Sequence, residues 1–209
     1  MTETEPLVER RRRLVRADIG RVAIDLFAER GYDAVTVDDI AAAAGISQRT
    51  FFRYFATKDE VVLDYERRLV DRLVVAVAAR PAGEGAVTAL HNAYVDTSRV
   101  VPDERERVVQ LGRILAATPE LRAAAQGAHA HNGPLLHEVA RRMGVPADDR
   151  RARAVTAAMT SVAAAEWAAW VDGGGVGDPA ERIGAVLALV EDGLAALDRK
   201  PRTRGARTA

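Results

Sequence analysis

The sequence predicts an all-α protein, and three observations lead to this fold class. Apolar residues recur at steps of three and four, the spacing that places them on one face of a helix. Residues that start and stop helices separate these segments. Alternation of apolar and polar residues, the pattern of strands, is nearly absent. The predicted helices cover about 14–30, 36–44, 47–54, 57–79, 86–100, 103–117, 119–131, 134–143, 149–172 and 179–198.

The composition limits the class of protein. Of the 209 residues, 48% are hydrophobic and 29% are charged, which is ordinary for a globular protein. The chain contains no cysteine, which excludes disulfides, thiolate nucleophiles and zinc sites built on sulfur. No apolar run reaches the length of a membrane span, and the beginning MTETEPLVERRRR lacks the apolar stretch of a signal peptide. We therefore expect a cytoplasmic protein without a membrane segment.

Two short helices joined through a glycine follow the first predicted helix. The first helix ends at Gly31, a suitable residue for a left-handed cap. Thr36 is placed to cap the second helix, with Asp38 and Asp39 in its first turn. Gly45 ends that helix and supplies the unusual backbone angle of the turn. This order predicts a three-helix domain with the helix-turn-helix of DNA-binding proteins.

The third predicted helix, 47–54, combines aromatic rings with arginines. The small side chain of Ala41 lets the second and third helices cross closely, and Ile46 and Phe51 are placed to fill the space between them. Phe51 and Phe55 are predicted to anchor the helix. The rest of its surface is rich in hydrogen-bond donors suited to base edges and phosphates. These predicted DNA-binding residues are Ser47, Gln48, Arg49, Thr50, Arg53 and Tyr54.

A fourth, longer helix is predicted to begin at Thr57. Thr57 and Glu60 have the spacing of a capping box, in which each side chain accepts a backbone N–H of the other residue. The helix ends at the segment RPAGEG, residues 80–85. Its predicted buried stripe is Val61, Val62, Tyr65, Leu69, Leu73 and Val77.

Residues 17–62 resemble the N-terminal domain of the TetR family of one-component transcriptional regulators. The matching residues are Ala23, Phe27, Gly31, Tyr32, Thr36, Val37, Ile40, Ala41, Ala44, Gly45, Ile46, Ser47, Thr50, Phe55 and Lys58. The resemblance implies that Thr36 and Lys58 contact the phosphate backbone of DNA. It also implies that residues 47–50, the start of the recognition helix, enter the major groove.

Two residues depart from the family's pattern. Arg49 stands where glycine is common, and its guanidinium could pair with O6 and N7 of guanine. Phe52 stands where a tyrosine usually donates its hydroxyl to a phosphate, and Tyr54 or Arg53 could replace that bond. We expect Gln48 and Arg49 to contribute most to sequence specificity. The role of Arg53 stays open, because its guanidinium could either read a base or contact a phosphate.

The resemblance further implies a larger helical domain that binds a small molecule and carries a dimer interface. A homodimer is expected because short recognition helices bind DNA tightly in pairs, about 34–36 Å apart. Helices 149–172 and 179–198 could form a four-helix interface with those of the partner subunit. The alternative is that both helices cover the core of one subunit. The predicted interface residues are Ile183, Val186, Leu187, Val190 and Leu194.

Candidate effector-pocket residues are mostly apolar or aromatic. They are Tyr94, Leu111, Arg113, Leu115, Leu136, Met159, Trp167 and Trp170, with His129 and His137 as further polar candidates. Residues 113–144 are similar to C-terminal domains of regulators proposed to sense acyl-CoA-like ligands. His129 and His131 lie two positions apart, on different faces of a helix, which argues against a metal site. No cofactor is expected.

The predicted organisation is a flexible basic arm (1–13), a helix-turn-helix domain (14–57), an effector-binding and dimerisation domain (58–198) and a disordered basic tail (199–209). We expect a repressor that binds a near-palindromic operator in double-stranded DNA as a homodimer and leaves it when an effector binds. An enzyme is not expected, because no titratable residues cluster at a coherent spacing and DGGGVGD lacks the context of a phosphate-binding loop. A transcriptional activator of the same architecture and a helical protein-interaction module remain the alternatives.

Overall fold

The computed structural model describes residues 6–130 and 133–198 and, within them, the side chains of 6–125, 133–191 and 193. The helices are α1 (Leu7–Arg30), α2 (Val37–Ala43), α3 (Gln48–Tyr54), α4 (Lys58–Ala79), α5 (Ala86–Thr97), α6 (Arg105–Ala117), α7 (Pro119–Ala130), α8 (Pro134–Met143), α9 (Arg150–Asp172) and α10 (Pro179–Asp198), with a 3₁₀ turn at Pro102–Glu104. No strand occurs in this part of the chain, so the predicted all-α class is confirmed. None of these helices is long and apolar enough to cross a membrane.

The chain packs as two compact units that differ from the predicted domains. The first unit comprises Met1–Leu69, Val100–Ala128 and Val171–Gly175, and the second comprises Val70–Arg99, His129–Trp170 and Val176–Ala209. The first segment of the first unit ends at Leu69 within α4, whereas the predicted domain ends at residue 57, and the domain bounds stay a prediction. This segment extends into α4 because the first turns of α4, together with α6, bury their apolar residues in the same core as α1, α2 and α3.

The first unit is organised around α1. This helix contacts both α2 and α6, and Nε of Arg107 on α6 donates to Oδ1 of Asp25 on α1 at 2.6 Å. The recognition helix therefore rests on a core to which a distant part of the chain contributes. Its buried members are Ile19, Ala23, Ile24, Leu26, Phe27, Val35, Ile40, Ala41, Phe51, Phe55, Val61, Val62, Leu111, Ile114 and Leu121.

The second unit is held together mainly by the packing of α5 against α10. Gly184 of α10 allows a close approach, because a β-carbon at this position would lie 2.9 Å from Cγ2 of Val95. Ala86, Ala89 and Ala93 of α5 are buried as well. The buried core consists of Leu73, Val77, Ala86, Val87, Leu90, Ala93, Leu135, Leu136, Val139, Ala140, Met143, Ala152, Val155, Met159, Ala163, Ile183 and Leu187.

Helix α1 begins earlier than the sequence analysis predicted. Residues 7–13 of the predicted arm form its first turns and are exposed. Pro6 precedes the helix, Glu9 lies in its first turn, and arginine and leucine are good helix formers. Leu14 is 56% exposed, and α1 joins the core only from Val15 onward. The predicted tail, 199–209, lies outside the described residues.

Gly112 of α6 provides a test of the packing in the first unit. A β-carbon on Gly112 would lie 2.6 Å from Cγ2 of Val171. We expect Gly112→Ala to lower the free energy of unfolding by about 1–3 kcal/mol, because the added methyl group overpacks this contact. Urea unfolding measures the change.

Gly193→Ala in α10 is the matched control. A β-carbon on Gly193 meets no described atom within 4 Å. We expect this variant to gain roughly 0.5–1 kcal/mol, because alanine loses less backbone entropy in a helix than glycine. Equal stabilisation by both substitutions would contradict the close contact at Gly112.

Candidate DNA-binding surface

The turn between α2 and α3 is closed by a glycine in the left-handed conformation. Gly45 has a φ of 65°. The N–H of Ile46 donates to the carbonyl of Ala41 at 2.9 Å, and the N–H of Gly45 donates to the carbonyl of Ala42 at 3.1 Å. These bonds form a Schellman motif, which satisfies carbonyls left free at the end of α2. The backbone itself therefore sets the direction in which the chain enters α3.

Ser47 caps the N-terminus of α3. Its Oγ accepts the backbone N–H of Thr50 at 3.1 Å and lies 2.9 Å from Oγ1 of Thr50. Such a cap satisfies one of the free N–H groups in the first turn of a helix. The two hydroxyls, both predicted to contact DNA, therefore also stabilise the start of the recognition helix.

The aromatic rings of α3 divide between the core and the surface. Phe51 and Phe55 are buried, with ring centroids 5.7 Å apart. Tyr54 is half-buried and packs against the same core. Phe52 is 51% exposed. The buried rings attach α3 to its unit, so the opposite face of the helix is presented outward.

The outward face of α3 carries the donors that the sequence analysis assigned to DNA. Gln48, Arg49 and Arg53 are exposed, and Thr50 is half-buried. A surface depression of about 430 Å³ is lined by Arg49, Thr50, Phe52 and Arg53. The guanidinium of Arg53 lies 5.2 Å from the centroid of the Tyr54 ring. This surface offers guanidinium and amide groups, which are the donors that read guanine and adenine edges.

Thr36 is exposed at the N-terminus of α2 and forms a capping box with Asp39. Its Oγ1 accepts the N–H of Asp39 at 3.2 Å, and its own N–H donates to Oδ2 of Asp39 at 2.9 Å. The Thr36 hydroxyl, and after it the Thr36 N–H, lower the pKa of the Asp39 carboxyl. The contact of Thr36 with phosphate stays a prediction.

Lys58 has a second role that the sequence analysis did not predict. Its Nζ donates to the carbonyls of Tyr32 at 2.9 Å and Val35 at 3.3 Å, and lies 4.4 Å from the centroid of the Tyr32 ring. It thereby attaches the start of α4 to the loop that precedes α2. An ammonium group has three donors, so a phosphate contact by Lys58 also stays a prediction.

Arg16 joins three helices of the first unit, although its position beside the Arg10–Arg13 run gives no sign of this. Its Nε donates to Oδ1 of Asp64 at 2.7 Å and its Nη2 to Oε1 of Glu60 at 2.9 Å, both on α4. Its Nη1 donates to the carbonyl of Tyr54 at the end of α3. The guanidinium also lies 4.2 Å from the centroid of the Phe55 ring.

The capping box predicted at Thr57 forms only in part. Oγ1 of Thr57 accepts the N–H of Glu60 at 3.1 Å. The Glu60 carboxylate, however, accepts the N–H of Ala56 at 2.6 Å rather than that of Thr57. The Ala56 N–H, and after it the Arg16 guanidinium, lower the pKa of the Glu60 carboxyl although partial burial opposes this. The Glu60 carboxylate thus accepts hydrogen bonds from both Ala56 and Arg16.

The predicted effector residues do not form one cluster within either unit. Leu111 and Leu115 belong to the core of the first unit. Tyr94, Leu136, Met159 and Trp167 belong to or pack on the core of the second unit, where Trp170 is fully buried. The Tyr94 hydroxyl donates to Oγ1 of Thr160 at 3.2 Å, and burial raises the pKa of Tyr94 to about 12. Arg113 and His137 are exposed, and the side chain of His129 lies outside the described set.

The predicted dimer stripe on α10 is largely internal. Ile183 and Leu187 are buried in the core of the second unit, and Val190 packs against it. Val186 is half-buried, and the side chain of Leu194 is not among those described. Ile183 and Leu187 are thus already buried within one chain, on a helix that packs against α5, and the interface role of this stripe stays a prediction.

No group of three or more histidine, cysteine, aspartate and glutamate side chains suited to a metal ion occurs among the described residues. Of the pair His129 and His131, His131 lies outside the described residues.

The geometry defines the class of protein. A donor-rich helix is held by buried rings at a direction set by a glycine turn, and its outer face is free. This is the arrangement with which helix-turn-helix proteins place a recognition helix in the major groove, which is wide enough to admit it. The first unit contains a helix-turn-helix DNA-binding domain, to which α1, α2 and α3 belong.

Comparisons with protein families identify the family to which the chain belongs. Residues 19–65 match the family described as bacterial regulatory proteins, tetR family, and residues 84–195 match the MftR C-terminal domain. The chain belongs to the TetR family of transcriptional regulators. The predicted resemblance is confirmed, and so is the prediction that the protein is not an enzyme, since its relatives are regulators.

Two relatives match over most of their length. MftR of Mycobacterium tuberculosis, a regulator assigned to mycofactocin biosynthesis, is 33% identical over 203 residues, which cover 93% of this chain and 98% of MftR. The transcriptional regulator TcmR of Streptomyces glaucescens is 34% identical over 172 residues, which cover 77% of this chain and 76% of TcmR.

Solved structures share the fold. FadR of Thermus thermophilus, a TetR-family repressor crystallised with lauroyl-CoA, is 24% identical with a TM-score of 0.58 and covers 93% of this chain and 100% of its own. The fatty acid degradation regulator FadR of Bacillus halodurans is 20% identical with a TM-score of 0.59 and covers 86% of this chain and 96% of its own.

The exposed position of Arg49 generates a test of base readout. On duplexes selected from a random library, we expect Arg49→Ala to weaken binding to the selected sequence by about 1–3 kcal/mol more than binding to random duplex, because a bidentate contact with guanine is lost. Fluorescence anisotropy measures both affinities at one salt concentration.

Arg99→Ala is the matched control, because Arg99 is also exposed but lies outside the helix-turn-helix domain. We expect it to leave both affinities unchanged. An equal loss by Arg49→Ala on selected and random duplex would instead assign Arg49 to a phosphate.

Proposed function

We propose that the protein is a cytoplasmic repressor that binds a near-palindromic operator as a homodimer and is released by a small-molecule effector. The observation that carries the proposal is the outward face of α3, with Gln48, Arg49 and Arg53 exposed on a helix whose other face is buried. Seven residues form this helix. One such short helix contacts few base pairs, which favours two copies on an operator about 34–36 Å apart.

The homodimer that we propose uses outer faces of α9 and α10. Arg182 of α10 donates to Glu166 of α9 at 2.6 Å, so these helices are neighbours in the second unit. Leu189 on α10 is 81% exposed. Small side chains that would let helices of a partner subunit approach closely are exposed at Ala154, Ala157, Ser161, Ala164, Ala165, Ala168, Ala185 and Ala188. This surface replaces the internal stripe that the sequence analysis assigned to the interface.

The effector that we propose is an acyl-CoA-like molecule. FadR of Thermus thermophilus was crystallised with lauroyl-CoA, and this chain shares its fold. In the first unit, a depression of about 320 Å³ is lined by Pro102, Arg105, Glu106, Val109, Gln110, Arg113 and Gly174. We propose that Arg105 and Arg113 hold the phosphates of the coenzyme A group at this depression, where Glu106 is the opposing charge.

Arg105 supports this proposal because its Nε is buried and has no hydrogen-bond partner among the described residues. A buried donor without a partner costs about 1–3 kcal/mol, and more when the group is charged. Guanidinium groups bind phosphates through paired hydrogen bonds, and a shift of the Arg105 side chain toward the depression would let a phosphate oxygen accept from this donor. The effector would cause release by binding more tightly to the conformation whose recognition helices are badly spaced for DNA.

The experiment that tests the proposed function is selection of bound duplexes from a random library. An enriched inverted repeat supports sequence-specific binding by a dimer. Loss of binding when lauroyl-CoA is added supports release by effector. A reporter gene placed downstream of the selected sequence separates repression from activation by the same protein. Absence of enrichment with folded protein would contradict the proposal.

Leu189 gives a test of the dimer surface. We expect Leu189→Asp to raise the dimer dissociation constant at least about tenfold, or roughly 1.4 kcal/mol, because a charge would be buried in the interface. Val176→Asp is the control, since Val176 is 74% exposed but precedes α10. Sedimentation equilibrium measures both. An unchanged dimer in Leu189→Asp would place the interface elsewhere.

Arg105 and Arg113 give a test of the effector. We expect lauroyl-CoA at 100 times its dissociation constant to stabilise the native protein by about 2.7 kcal/mol. Arg105→Gln and Arg113→Gln should each reduce this stabilisation, because phosphate contacts are lost. Thermal unfolding in the presence of lauroyl-CoA, coenzyme A or lauric acid measures it.

The control for these two variants is Arg99→Gln, which should respond to lauroyl-CoA as the unaltered protein does. Binding to the selected duplex shows that each variant is folded. A response to lauroyl-CoA that survives in both Arg105→Gln and Arg113→Gln would contradict the assignment of the phosphates to this depression.

A further inference from the structure

Phe52 differs from the other three phenylalanines of the chain. Phe27, Phe51 and Phe55 are 2%, 0% and 1% exposed, whereas Phe52 is 51% exposed. Exposing a large aromatic ring loses the stabilisation that its burial would give. The packing of the first unit therefore does not account for a phenylalanine at this position.

The Phe52 ring lies on the face of α3 that is directed outward. It lines the depression of about 430 Å³ together with Arg49, Thr50 and Arg53. Its partner in the core is Phe51, against which it packs edge to face, with centroids 5.6 Å apart and planes at 85°. Because Phe51 is fully buried, this contact holds the exposed ring in a defined position among the arginines.

The chemistry of the ring limits what it can recognise. Phenylalanine has no hydrogen-bonding group, so it can neither donate to a phosphate nor read an acceptor on a base edge. In the major groove, the apolar group presented by the bases is the 5-methyl group of thymine. We propose that Phe52 reads a thymine methyl group in each half of the operator. This inference rests on the proposed sequence-specific binding of DNA by α3.

The position of Phe52 relative to Arg49 predicts where this thymine lies. The two residues are three positions apart on α3, which corresponds to about 4.5 Å along the helix axis. Successive base pairs are about 3.4 Å apart. With Arg49 on a guanine, the thymine methyl group read by Phe52 lies one or two base pairs from that guanine.

Replacement of thymine by deoxyuridine in the selected duplex tests the inference, because it removes the methyl group and leaves the base pair intact. We expect about a fourfold loss of affinity for one half-site and roughly fifteenfold when both half-sites are replaced, from the transfer free energy of one buried carbon each. Replacement at thymines farther from the guanine should have no effect. Fluorescence anisotropy with the purified full chain measures these affinities.

Phe52→Ala and Phe52→Tyr assign the effect to this ring. Phe52→Ala should bind the thymine and deoxyuridine duplexes equally, whereas Phe52→Tyr should keep the preference for thymine because it keeps the ring. Unfolding midpoints and binding to random duplex at low salt show whether the variants are folded. Because Phe52→Ala loses the edge-to-face contact with Phe51, we expect a modest fall of its unfolding midpoint with a cooperative transition retained.

Two results would overturn the inference. A thymine preference that persists in Phe52→Ala would show that another side chain contacts the methyl group. An enriched operator whose affinity does not change with deoxyuridine near the guanine would show that no thymine methyl group is read there. In both cases the proposed function would stand. If no sequence is enriched at all, the proposed function and this inference fail together.

Discussion

The guanidinium of Arg16 holds the recognition helix to the rest of its domain. A helix of seven residues is too short to be stable alone, so α3 depends on contacts outside itself. Arg16 donates to the carbonyl of Tyr54 at the end of α3, where a helix has free acceptors and favours a cation. The same group pairs with Glu60 and Asp64 on α4. The Asp64 side chain is only 11% exposed, and Arg67 and Arg68 also form ion pairs with it, at 3.6 Å and 3.4 Å.

The division of α3 into a buried and an outward face follows from this attachment. Phe51 and Phe55 enter the core, and Arg16 lies over the ring of Phe55. Arg49, Phe52 and Arg53 are then directed outward and are exposed. The buried residues of α3 are thus constrained by the packing of the core, whereas the exposed ones are not.

In the second unit, the packing depends on close approach between helices. Its core uses alanines on α5 and a glycine on α10 to bring helices close together. This arrangement buries Ile183 and Leu187 within one subunit and directs Leu189 to the surface. Of the large apolar residues of α10, Ile183 and Leu187 are therefore buried, whereas Leu189 is exposed.

Much of the fold could be predicted because its signals are local. Thr36 caps a helix through Asp39, Ser47 through Thr50, and Gly45 ends α2 through Ala42, all within one helical turn. Both partners of each of these bonds therefore lie within a few residues of each other, where a sequence pattern can show them. The same locality made the helix-turn-helix and its exposed donors predictable, together with the family to which the chain belongs.

Only the tertiary structure decided which residues contact segments that are distant in the sequence. Arg16 lies in a basic segment, but its partners are 38, 44 and 48 residues away. Lys58 bonds to carbonyls that no side-chain pattern reveals. The apolar stripe of α10 could have faced α5 or a partner subunit, since periodicity shows that a face is apolar without showing what covers it. The sequence by itself determined the helices and the character of their faces. The assignment of each face depended on how distant segments pack.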